Sequence, residues 1–519
     1  MVAARDTARP ATEVELKLAF EPADAARLVS HPALEASLVP PEEHELVSAY
    51  FDTPDCALHQ AGVYLRIRES GGRYVQTVKS ARSKTELLEH LEWEREISGR
   101  TPDLGGAKGT ALQPLLTPKV RASLQPMFET RIRRTIHRVG QNGSEIEVAI
   151  DRGEIATRAH TRPISELELE LKRGKTKALF RLARILAETV PLRLEVKTKA
   201  ERGFELLQDG ALKAEKAAEI DIVPEMTAGE AFRAIALSCL WQIVANEPAM
   251  CAGQAEALHQ MRIGLRRLRA AIAIFADVVG DEDLDKIKAE LKWITRELGP
   301  ARDLDVFAAD VLAPLQARHP EDEGIAATHR DFEGMRAAAY ASAAVSVRSG
   351  RFRTAMLDLA EWVEIGPWAV DDGKERKALR RRAVAEHAKE KLARLRKRIR
   401  SKGADLRHRS VRQGHRLRIR AKRLRYATEF FAATFPGETS AKCRAESLSA
   451  LRDLQDALGG LNDLATRHAL ITGGLEGDAR EASAPANHLA AAESQAETLM
   501  LKAEQAFARF AGTKAFWKA

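Results

Sequence analysis

Cysteine, aromatic residues and long apolar runs are all scarce in this chain of 519 residues. Its four cysteines, Cys56, Cys239, Cys251 and Cys443, are scattered without a CxxC pair, so nothing indicates a disulfide framework or a zinc site. No apolar run approaches the roughly 18 residues that span a bilayer. The N-terminal MVAARDTARPATE lacks the apolar core of a signal peptide. We therefore expect a cytoplasmic protein in a reducing compartment, without a membrane span.

Charged and small aliphatic residues, in contrast, are abundant. The chain is 45% hydrophobic, 30% charged and only 5% aromatic, which is typical of a globular protein with much helix. Its length predicts roughly two to four domains. The net charge of +8 favours an anionic partner, and at this level nucleic acid, anionic lipid and polyphosphate all remain open.

The N-terminal part, residues 13 to 200, alternates polar and apolar residues with the period of β-strands. The predicted strands are EVELKL (13–18), VYLRIR (63–68), YVQTVK (74–79), LEWEREI (91–97), EIEVAI (145–150), ELELELK (166–172) and RLEVKTK (193–199). Turn signals occur at SGG (70–72), QNG (141–143) and DRG (151–153). Two stretches, 21–31 and 175–190, have helical periodicity instead.

Each of these strands carries its charge on one face, which leaves two interpretations. The first is an ordinary antiparallel sheet with one solvated face. The second is a closed barrel with the charged face inside, where such crowding is costly unless the site holds ions. Paired carboxylates suit hard divalent cations, and arginine and lysine suit a phosphate chain. The second interpretation predicts phosphoryl transfer to water, assisted by Mg²⁺ or Mn²⁺.

The N-terminal part resembles the CYTH superfamily of triphosphate tunnel metalloenzymes. EVELKL is similar to the ExExK signature, and the resemblance continues in order through YFDTPD (50–55), GVYLRIR (62–68), LEWERE (91–96), SEIEVAIDRGEI (144–155) and PISELELEL (163–171). It implies an α+β domain, an eight-stranded antiparallel β tunnel with flanking helices. It also implies hydrolysis of triphosphates with a divalent metal.

The resemblance assigns roles to individual residues. The implied metal ligands are Glu13, Glu15, Asp151, Glu166, Glu168 and Glu170, and which two of the last three act as ligands is left open. The implied catalytic residues, most of them phosphate-binding bases, are Lys17, Arg66, Arg68, Lys79, Glu92, Arg134, Lys197 and Lys199. One departure is His90, which stands where many relatives have arginine. No Ser, Cys or His nucleophile stands out, so we expect water to attack.

Strand patterns give way to helical periodicity after a linker at 208–228, and the helical part repeats itself. HQMRIGLRRLRAAIAIF (259–275) parallels HRLRIRAKRLRYATEFF (415–431), and ELGPARDLDVF (297–307) parallels ALGGLNDLATR (457–467) in the same order. A break at 366–373 separates the two copies. Two segments repeating in order indicate a duplication.

The repeated motif places one histidine and three basic residues on one helix face. The two sets are His259, Arg262, Arg266, Arg269 and His415, Arg418, Lys422, Arg425. A single copy is compatible with a solvated basic face, whereas duplication in register favours an anion-binding surface. Residues 374–425 add 23 Lys or Arg against four acids, and the scarcity of aromatics gives no indication of base stacking.

The helical part resembles the CHAD domain, which implies an all-α domain of two pseudo-symmetric helical bundles that binds inorganic polyphosphate. The resemblance includes Arg302 and Asp303 in one copy and Asn462 and Asp463 in the other, as residues that orient the basic side chains or cap helices. The predicted domains are 1–207, a linker at 208–228, and 229–519, with halves 229–365 and 374–519. The arrangement as a whole resembles bacterial inorganic triphosphatases of CYTH-CHAD architecture.

The leading hypothesis is a metal-dependent inorganic triphosphatase with a polyphosphate-binding helical domain, without a nucleic-acid partner, and associated with polyphosphate granules in the cytoplasm. Three alternatives remain open. They are a class IV-type adenylyl cyclase or thiamine triphosphatase on the same fold, a non-catalytic protein targeted to polyphosphate granules, and a nucleic-acid-binding protein inferred from charge alone.

Overall fold

Strands and helices occupy different parts of the chain in the computed structural model, which describes residues 11–473 and 485–518 apart from 82, 209 and 372. The strands are β1 (Ala11–Ala19), β2 (Glu42–Asp52), β3 (Val63–Ser70), β4 (Arg73–Ser80), β5 (Glu89–Ile97), β6 (Gln125–Gln141), β7 (Ser144–Ala156), β8 (Thr161–Arg173) and β9 (Arg193–Leu194). Among these strands every pairing is antiparallel.

The helices lie between some strands and then fill the C-terminal part. The first ten are α1 (Ala25–Val29), α2 (Pro32–Glu35), α3 (Ala57–Gln60), α4 (Pro118–Ser123), α5 (Lys177–Ala187), α6 (Lys199–Gln208), α7 (Ala228–Ala245), α8 (Glu247–Cys251), α9 (Ala255–Ile274) and α10 (Leu284–Glu297). The others are α11 (Gly299–Phe307), α12 (Ala313–Arg318), α13 (Glu323–Arg348), α14 (Gly350–Ile365), α15 (Pro367–Val370), α16 (Lys374–Arg381), α17 (Val384–Gly403), α18 (Val411–Phe430), α19 (Glu438–Gly473) and α20 (Pro485–Gly512). No helix in the described ranges is long and apolar enough to cross a membrane.

The described residues divide into two compact units. The first comprises residues up to Ala218 together with Ala236–Arg266 and Asp281–Val370. The second comprises Glu219–Ile235, Arg267–Gly280 and the residues from Asp371 onward. The first unit thus contains both the strands and part of the helical sequence. Its boundaries therefore differ from the domain boundaries predicted from sequence.

Eight of the strands close into a barrel. The sheet order is β5-β4-β3-β2-β6-β7-β8-β1-β9, and β1 also pairs with β5, which joins the two ends of the sheet. The two-residue β9 is added beside β1 at Leu18 and Ala19. The predicted eight-stranded antiparallel tunnel with flanking helices is confirmed.

The alternation in β1 shows why the barrel closes with its charges inside. Leu16 and Leu18 lie on the outer face, where α5 packs on β1, β7 and β8. Glu15 and Lys17 lie on the opposite face, yet they are only 9% and 8% exposed. Since both faces of β1 are buried, the interpretation as a sheet with a solvated face is wrong for this strand.

Two of the three predicted turns are confirmed. SGG joins β3 to β4 with Gly71 and Gly72 at positive φ, and QNG joins β6 to β7 with Asn142 and Gly143 at positive φ. DRG is not a turn but part of β7. Gly153 is needed there because a Cβ would lie 1.9 Å from the carbonyl oxygen of Arg131 on β6.

The prediction of a strand over 193–199 is wrong beyond Leu194. The Glu195 side chain turns back and accepts hydrogen bonds from the backbone N–H of Val196 and of Lys197, both at 3.0 Å. Helix α6 then begins at Lys199. The two-residue side-chain period therefore stops at Leu194, which changes where the following lysines point. Strands β2 and β6 were not among the strands predicted from alternation.

Candidate active site

The barrel encloses a cavity of about 340 Å³, within the range of small-molecule sites. Most of the predicted residues line it, namely Glu13, Glu15, Lys17, Arg66, Arg68, Lys79, Glu92, Arg134, Glu168, Glu170 and Lys199. Asp151, Glu166 and Lys197 do not. Because alternate residues of each strand point into the barrel, residues that are far apart in sequence lie around one enclosed volume.

One wall of the cavity comes from β3, β4 and β5 and combines bases with two acids. The Arg66 guanidinium lies 3.2 Å from the Glu92 carboxylate and 3.4 Å from that of Glu94, and Lys79 pairs with the other oxygen of Glu92. Burial raises the pKa of Glu92, but Lys79 and Arg66 outweigh burial and bring this pKa down to about 2. Glu92 is therefore a permanent anion that positions two cations at the wall.

Arg68 differs from its neighbour Arg66, because it forms no ion pair among the residues that the structure describes. Its Nε is buried without a hydrogen-bond partner. Burial, with the nearby guanidinium groups of Arg66 and Arg134, lowers the pKa of Arg68 to about 10. Glu94 opposes this shift but forms no ion pair with Arg68 among the described residues, so the charge is only partly compensated, and an anion in the cavity would relieve the remaining cost.

The opposite wall, from β1, β7 and β8, is rich in carboxylates. The strand register aligns Glu15 with Glu170, and Glu170 with Glu147, in one row across the three strands. Burial, together with Glu92 and Glu170, raises the pKa of Glu13 to about 7. The repulsion that raises the pKa of Glu13 would be relieved by a hard divalent cation, so the wall fits a site for such an ion.

A buried ion cluster forms one end of this wall. Lys199 Nζ lies 2.9 Å from Asp151, 2.5 Å from Glu166 and 2.7 Å from Glu168. Arg134 donates two hydrogen bonds of 2.7 Å to Asp151 and one of 2.6 Å to Glu168. Burial raises the pKa of Asp151, but Lys199 and Arg134 outweigh it and lower this pKa below its usual value.

Asp151, Glu166 and Glu168 bring carboxylate oxygens within 4.8 Å of one another, a spacing that could hold a metal ion. Their negative charge is already matched by Lys199, Arg134 and Arg202, the last of which pairs with Glu166. Asp151 and Glu166 are fully buried and do not face the cavity. The role of Asp151 and Glu166 as metal ligands stays a prediction. Their contacts favour a role in positioning Lys199 and Arg134.

Lys197 lies outside the cavity lining and is held by other acids. It pairs with Glu205 on α6 and lies 2.8 Å from Glu215. The chain leaves the strand after Leu194, so Lys197 does not continue the alternation of the predicted strand 193–199. In this arrangement Lys199 alone, of the two lysines, reaches the cavity.

Several lining residues were not predicted as site residues. They are Tyr50, Tyr64, Ser80, Ala81, Glu86, Glu89, Glu94, Glu147, Lys172, Thr198 and Ala200. The period of two could have found Glu94, next to Glu92 on β5, and Glu147, in the row with Glu170. Glu86, in the loop before β5, and Glu89, the first residue of β5, carry no such signal. The side chain of His90, where the sequence departs from many relatives, lies outside the described residues.

The first copy of the repeated motif lies on α9. Burial lowers the pKa of His259, and Arg302, Arg266 and Arg262 lower it further. These four side chains are therefore close enough to act on one another, as the shared helix face predicted. Arg262 donates a 3.1 Å hydrogen bond to the carbonyl of Thr295 on α10.

The second copy, on α18, is anchored in the same way. Arg418 donates a 3.3 Å hydrogen bond to the carbonyl of Gln455 on α19. Gln455 stands four residues before Gly459, and Thr295 stands four residues before Gly299, so the two acceptors occupy equivalent positions in the repeat. A Cβ at Gly459 would lie 3.0 Å from the Arg418 guanidinium, which explains a glycine there.

The remaining predicted residues of the motif are accessible to different extents. Arg269 and His415 are exposed, Arg266 and Lys422 are half-buried, and Arg425 lies 3.7 Å from Glu429. The side chain of Asp463 lies outside the described residues. The duplication is thus visible in contacts as well as in sequence, because an arginine of each copy contacts the same kind of backbone carbonyl.

Comparison with known proteins agrees with this organisation. Residues 11–204 match the CYTH domain family, and residues 234–472 match the CHAD domain family. The chain therefore carries a CYTH domain followed by a CHAD domain.

A curated relative from Haemophilus influenzae, named inorganic triphosphatase, is 33% identical over 201 residues, which are 37% of this chain and 54% of the relative. This chain thus spans about half the length of that relative.

Two solved structures are also similar. The CHAD domain of the plant Ricinus communis is 26% identical, with a TM-score of 0.45, and the match covers 59% of this chain and 99% of that one. A Hippeastrum protein described as a putative adenylyl cyclase with a dominant triphosphatase activity is 19% identical, with a TM-score of 0.29, over 39% of this chain and 97% of that one.

Proposed function

We propose that the barrel cavity hydrolyses inorganic triphosphate with Mg²⁺ or Mn²⁺, and that the helical domain binds inorganic polyphosphate. The observation that carries the catalytic part is the division of one enclosed cavity into a carboxylate-rich wall and a wall with Arg68, whose buried Nε has no hydrogen-bond partner and which forms no ion pair among the described residues. A substrate that combines many phosphate oxygens with a divalent cation matches both walls. The name of the Haemophilus influenzae relative supports this choice of reaction.

The residues present fit the metal that the reaction needs. Glu13, Glu15, Glu168 and Glu170 line the cavity, and Glu147 adjoins Glu170. These carboxylates would hold the cation, whereas Glu166 lies too deep to face the cavity. When bound, a divalent cation neutralises phosphate oxygens and promotes attack by water on phosphorus.

The chain's own residues bind and orient the substrate. Arg68 and Arg66 supply guanidinium groups that match phosphate geometry, and Lys79 extends this wall. Lys17 and Lys199 approach the phosphate from the carboxylate side, where each is fixed by Glu168. The described part of the lining contains no cysteine or histidine, so we expect water rather than a side chain to act as the nucleophile.

Binding of polyphosphate by the helical domain rests on the two motif copies. In each copy one arginine, Arg262 or Arg418, donates to a backbone carbonyl, which carries no net charge and so does not neutralise the guanidinium. A chain of phosphates, with about one charge per unit, fits such a surface better than a ligand that must stack on aromatic rings.

Phosphate release from tripolyphosphate, ATP, thiamine triphosphate and long-chain polyphosphate tests the catalytic proposal. We expect tripolyphosphate to be preferred, with Mg²⁺ or Mn²⁺ required and EDTA inhibiting. Cyclic AMP production from ATP in the same reactions would instead favour the cyclase alternative. Absence of phosphate release from every substrate with either metal would overturn the proposal and favour a non-catalytic polyphosphate-binding protein.

A further inference from the structure

A second cavity of about 260 Å³ lies in the first unit, away from the barrel interior. Its walls come from the C-terminal end of β1, from β9, from α8 and from residues at the junction of α13 and α14. The lining includes Phe20, Glu21, Arg193, Glu247, Arg348 and Arg353. Three guanidinium groups from three separate segments thus face one small space.

The positive charge of this cavity is only partly neutralised. Arg193 pairs with Glu195 at 3.0 Å. Neither Arg348 nor Arg353 forms an ion pair among the residues that the structure describes. The Nε of Arg353 is buried without a hydrogen-bond partner. The cavity therefore contains guanidinium donors for which the described protein supplies too few acceptors.

Two acids line this cavity: Glu21, which is exposed, and Glu247, which is buried. Glu247 is 4% exposed and forms no ion pair among the described residues. Burial raises the pKa of Glu247 to about 7, even though Arg193, Arg353 and Arg348 oppose the shift. A carboxyl group that is partly neutral near pH 7 can donate a hydrogen bond to an oxyanion, which a carboxylate cannot.

We propose that this cavity binds a phosphate-sized oxyanion, held by Arg193, Arg348 and Arg353 with Glu247 as a neutral donor. Planar guanidinium groups with several donors are the preferred protein ligands for tetrahedral oxyanions. The oxyanion is free orthophosphate or the end of a polyphosphate chain, which share the same terminal chemistry. This binding does not depend on the proposed hydrolysis, although that reaction would release orthophosphate.

The position of the cavity connects it to the barrel through one strand. Lys17 faces the barrel cavity, and Phe20 and Glu21, three and four residues later along the chain, line the second cavity. At about 3.3 Å per residue the two sites are separated by roughly 10–13 Å along the chain. An anion bound at the second site would restrict the motion of the C-terminal end of β1, the strand that carries Glu13 and Glu15.

Calorimetric titration of the full chain with orthophosphate, in EDTA and without substrate, tests this proposal. We expect saturable binding in the parent and in Arg68→Ala, because the barrel cavity is not the site measured. Arg353→Met and Arg348→Met should each weaken binding roughly 10- to 100-fold, the loss expected for a charge-assisted hydrogen bond. Arg330→Met, which removes an exposed arginine from α13, should bind like the parent.

Competition experiments distinguish free orthophosphate from the end of a polyphosphate chain, and the pH dependence of binding tests the role of Glu247. If the occupant is a chain end, short polyphosphate should displace orthophosphate with higher affinity; if it is free orthophosphate, it should not. Sulfate, whose charge is constant in this range, should bind more tightly at pH 6 than at pH 8, since Glu247 donates only when neutral and faces Arg193, Arg348, Arg353, Glu21, Glu195 and Cys251. Glu247→Gln should remove this pH dependence and keep the affinity.

Two results would overturn the proposal. The first is no binding by the parent while Arg353→Met and Arg348→Met lower the melting temperature without any anion, which would give the arginines only a structural role. The second is binding that disappears in Arg68→Ala and persists in Arg353→Met, which would place the anion in the barrel cavity. Anomalous scattering from arsenate-soaked crystals locates the anion directly and decides between the sites.

Discussion

Inside the barrel, Lys17, Lys199 and Arg134 contact carboxylates, whereas on the repeated helices Arg262 and Arg418 contact backbone carbonyls. A ligand entering the barrel must therefore compete with ion pairs that already exist. On the helices, Arg262 and Arg418 instead donate to backbone carbonyls, which carry no net charge, and an acid contacts the motif in the 3.7 Å pair between Arg425 and Glu429. We therefore expect charge in the barrel to contribute more to the folded structure, and charge on the helices to respond more to a bound anion. Substitutions should separate these two situations.

The largest effect is expected for Glu15→Gln. The substitution keeps the shape of the side chain but removes one carboxylate charge from the wall that would hold the cation, so hydrolysis of tripolyphosphate should fall by on the order of 10²-fold or more. Steady-state rates with Mg²⁺ and Mn²⁺ measure this. Glu45→Gln, on the outer surface of β2, is the matched control and should keep parent activity. Parent-like turnover by Glu15→Gln would remove the assignment of this residue to the metal.

Arg68→Ala should cost about 10²-fold in kcat/KM, because it removes from the substrate a guanidinium that forms no ion pair among the described residues. Stability should not fall, since the substitution also removes a charge that is only partly compensated by Glu94 and whose buried Nε has no hydrogen-bond partner. Rates and melting temperatures are compared with Arg131→Ala, an exposed arginine on β6. Unchanged kinetics, or a marked loss of stability, would show that Arg68 is a structural cation like its neighbours.

Asp151→Asn should act on stability more than on binding. It leaves Lys199 and Arg134 with one buried carboxylate fewer, and breaking a buried ion pair costs about 3–5 kcal/mol. Urea unfolding of the full chain measures the loss, and Arg262→Ala on α9 should cost less than about 1 kcal/mol by the same method. The contrast between the barrel and the helices fails if the two substitutions destabilise the protein equally.

Replacing Arg262, Arg266, Arg418 and Lys422 by alanine should weaken polyphosphate binding and leave hydrolysis of tripolyphosphate largely intact. The slope of log affinity against log salt should flatten by about 0.7 for each phosphate that the protein no longer neutralises, as for other single-stranded polyanions. A control that replaces Arg318, Arg330, Lys502 and Lys514 has the same change in charge at exposed positions. Equally weakened binding in both variants would mean that net charge, and not the motif, binds the polymer.

The smallest effect concerns pH. Because the pKa of His259 is lowered in the free protein, a bound polyanion should raise it and cause uptake of a proton. Affinity for polyphosphate should therefore rise as pH falls through and below about 6.5, the usual value for histidine. His259→Gln should lose this increment of a few fold, and His319→Gln, an exposed histidine, should retain it. A pH profile that is identical in both variants would exclude His259 from the binding surface.

The parts that the sequence predicts well are those where periodicity continues without interruption. β1, β3, β4, β5, β7 and β8 keep a period of two, so the inward residues Glu15, Arg66 and Glu168 could be assigned before the structure. Closure of the barrel was predicted by the family resemblance, because one charged face per strand is equally compatible with a solvated sheet. The helical repeat could also be predicted, since the basic residues of each copy keep an uninterrupted helical period along α9 and α18.

The structure differs from the expectations where the backbone changes direction or where depth in the barrel matters. Lys197 was assigned to the site by the family resemblance, on a strand predicted to run to residue 199, but hydrogen bonds to the Glu195 side chain end the strand at Leu194. Asp151 and Glu166 lie on the inward face, as predicted, and pair with each other across β7 and β8, but neither residue lines the cavity. The two-residue period predicts which face of a strand a side chain occupies. It does not predict the position of that side chain along the barrel, which depends on the register between strands.

The salt bridge between Lys197 and Glu215 determines where this chain can be divided. Glu215 also lies 3.5 Å from Lys84, in the loop between β4 and β5 that contributes Glu86 to the cavity. Its backbone exchanges two 2.8 Å hydrogen bonds with the Asn246 side chain. A fragment that ends at residue 207 keeps every strand yet leaves a buried lysine with one acid and this loop without its anchor. An expression boundary for the barrel belongs after residue 218, and a protease that cuts before Glu215 should alter the barrel as well as release the helices.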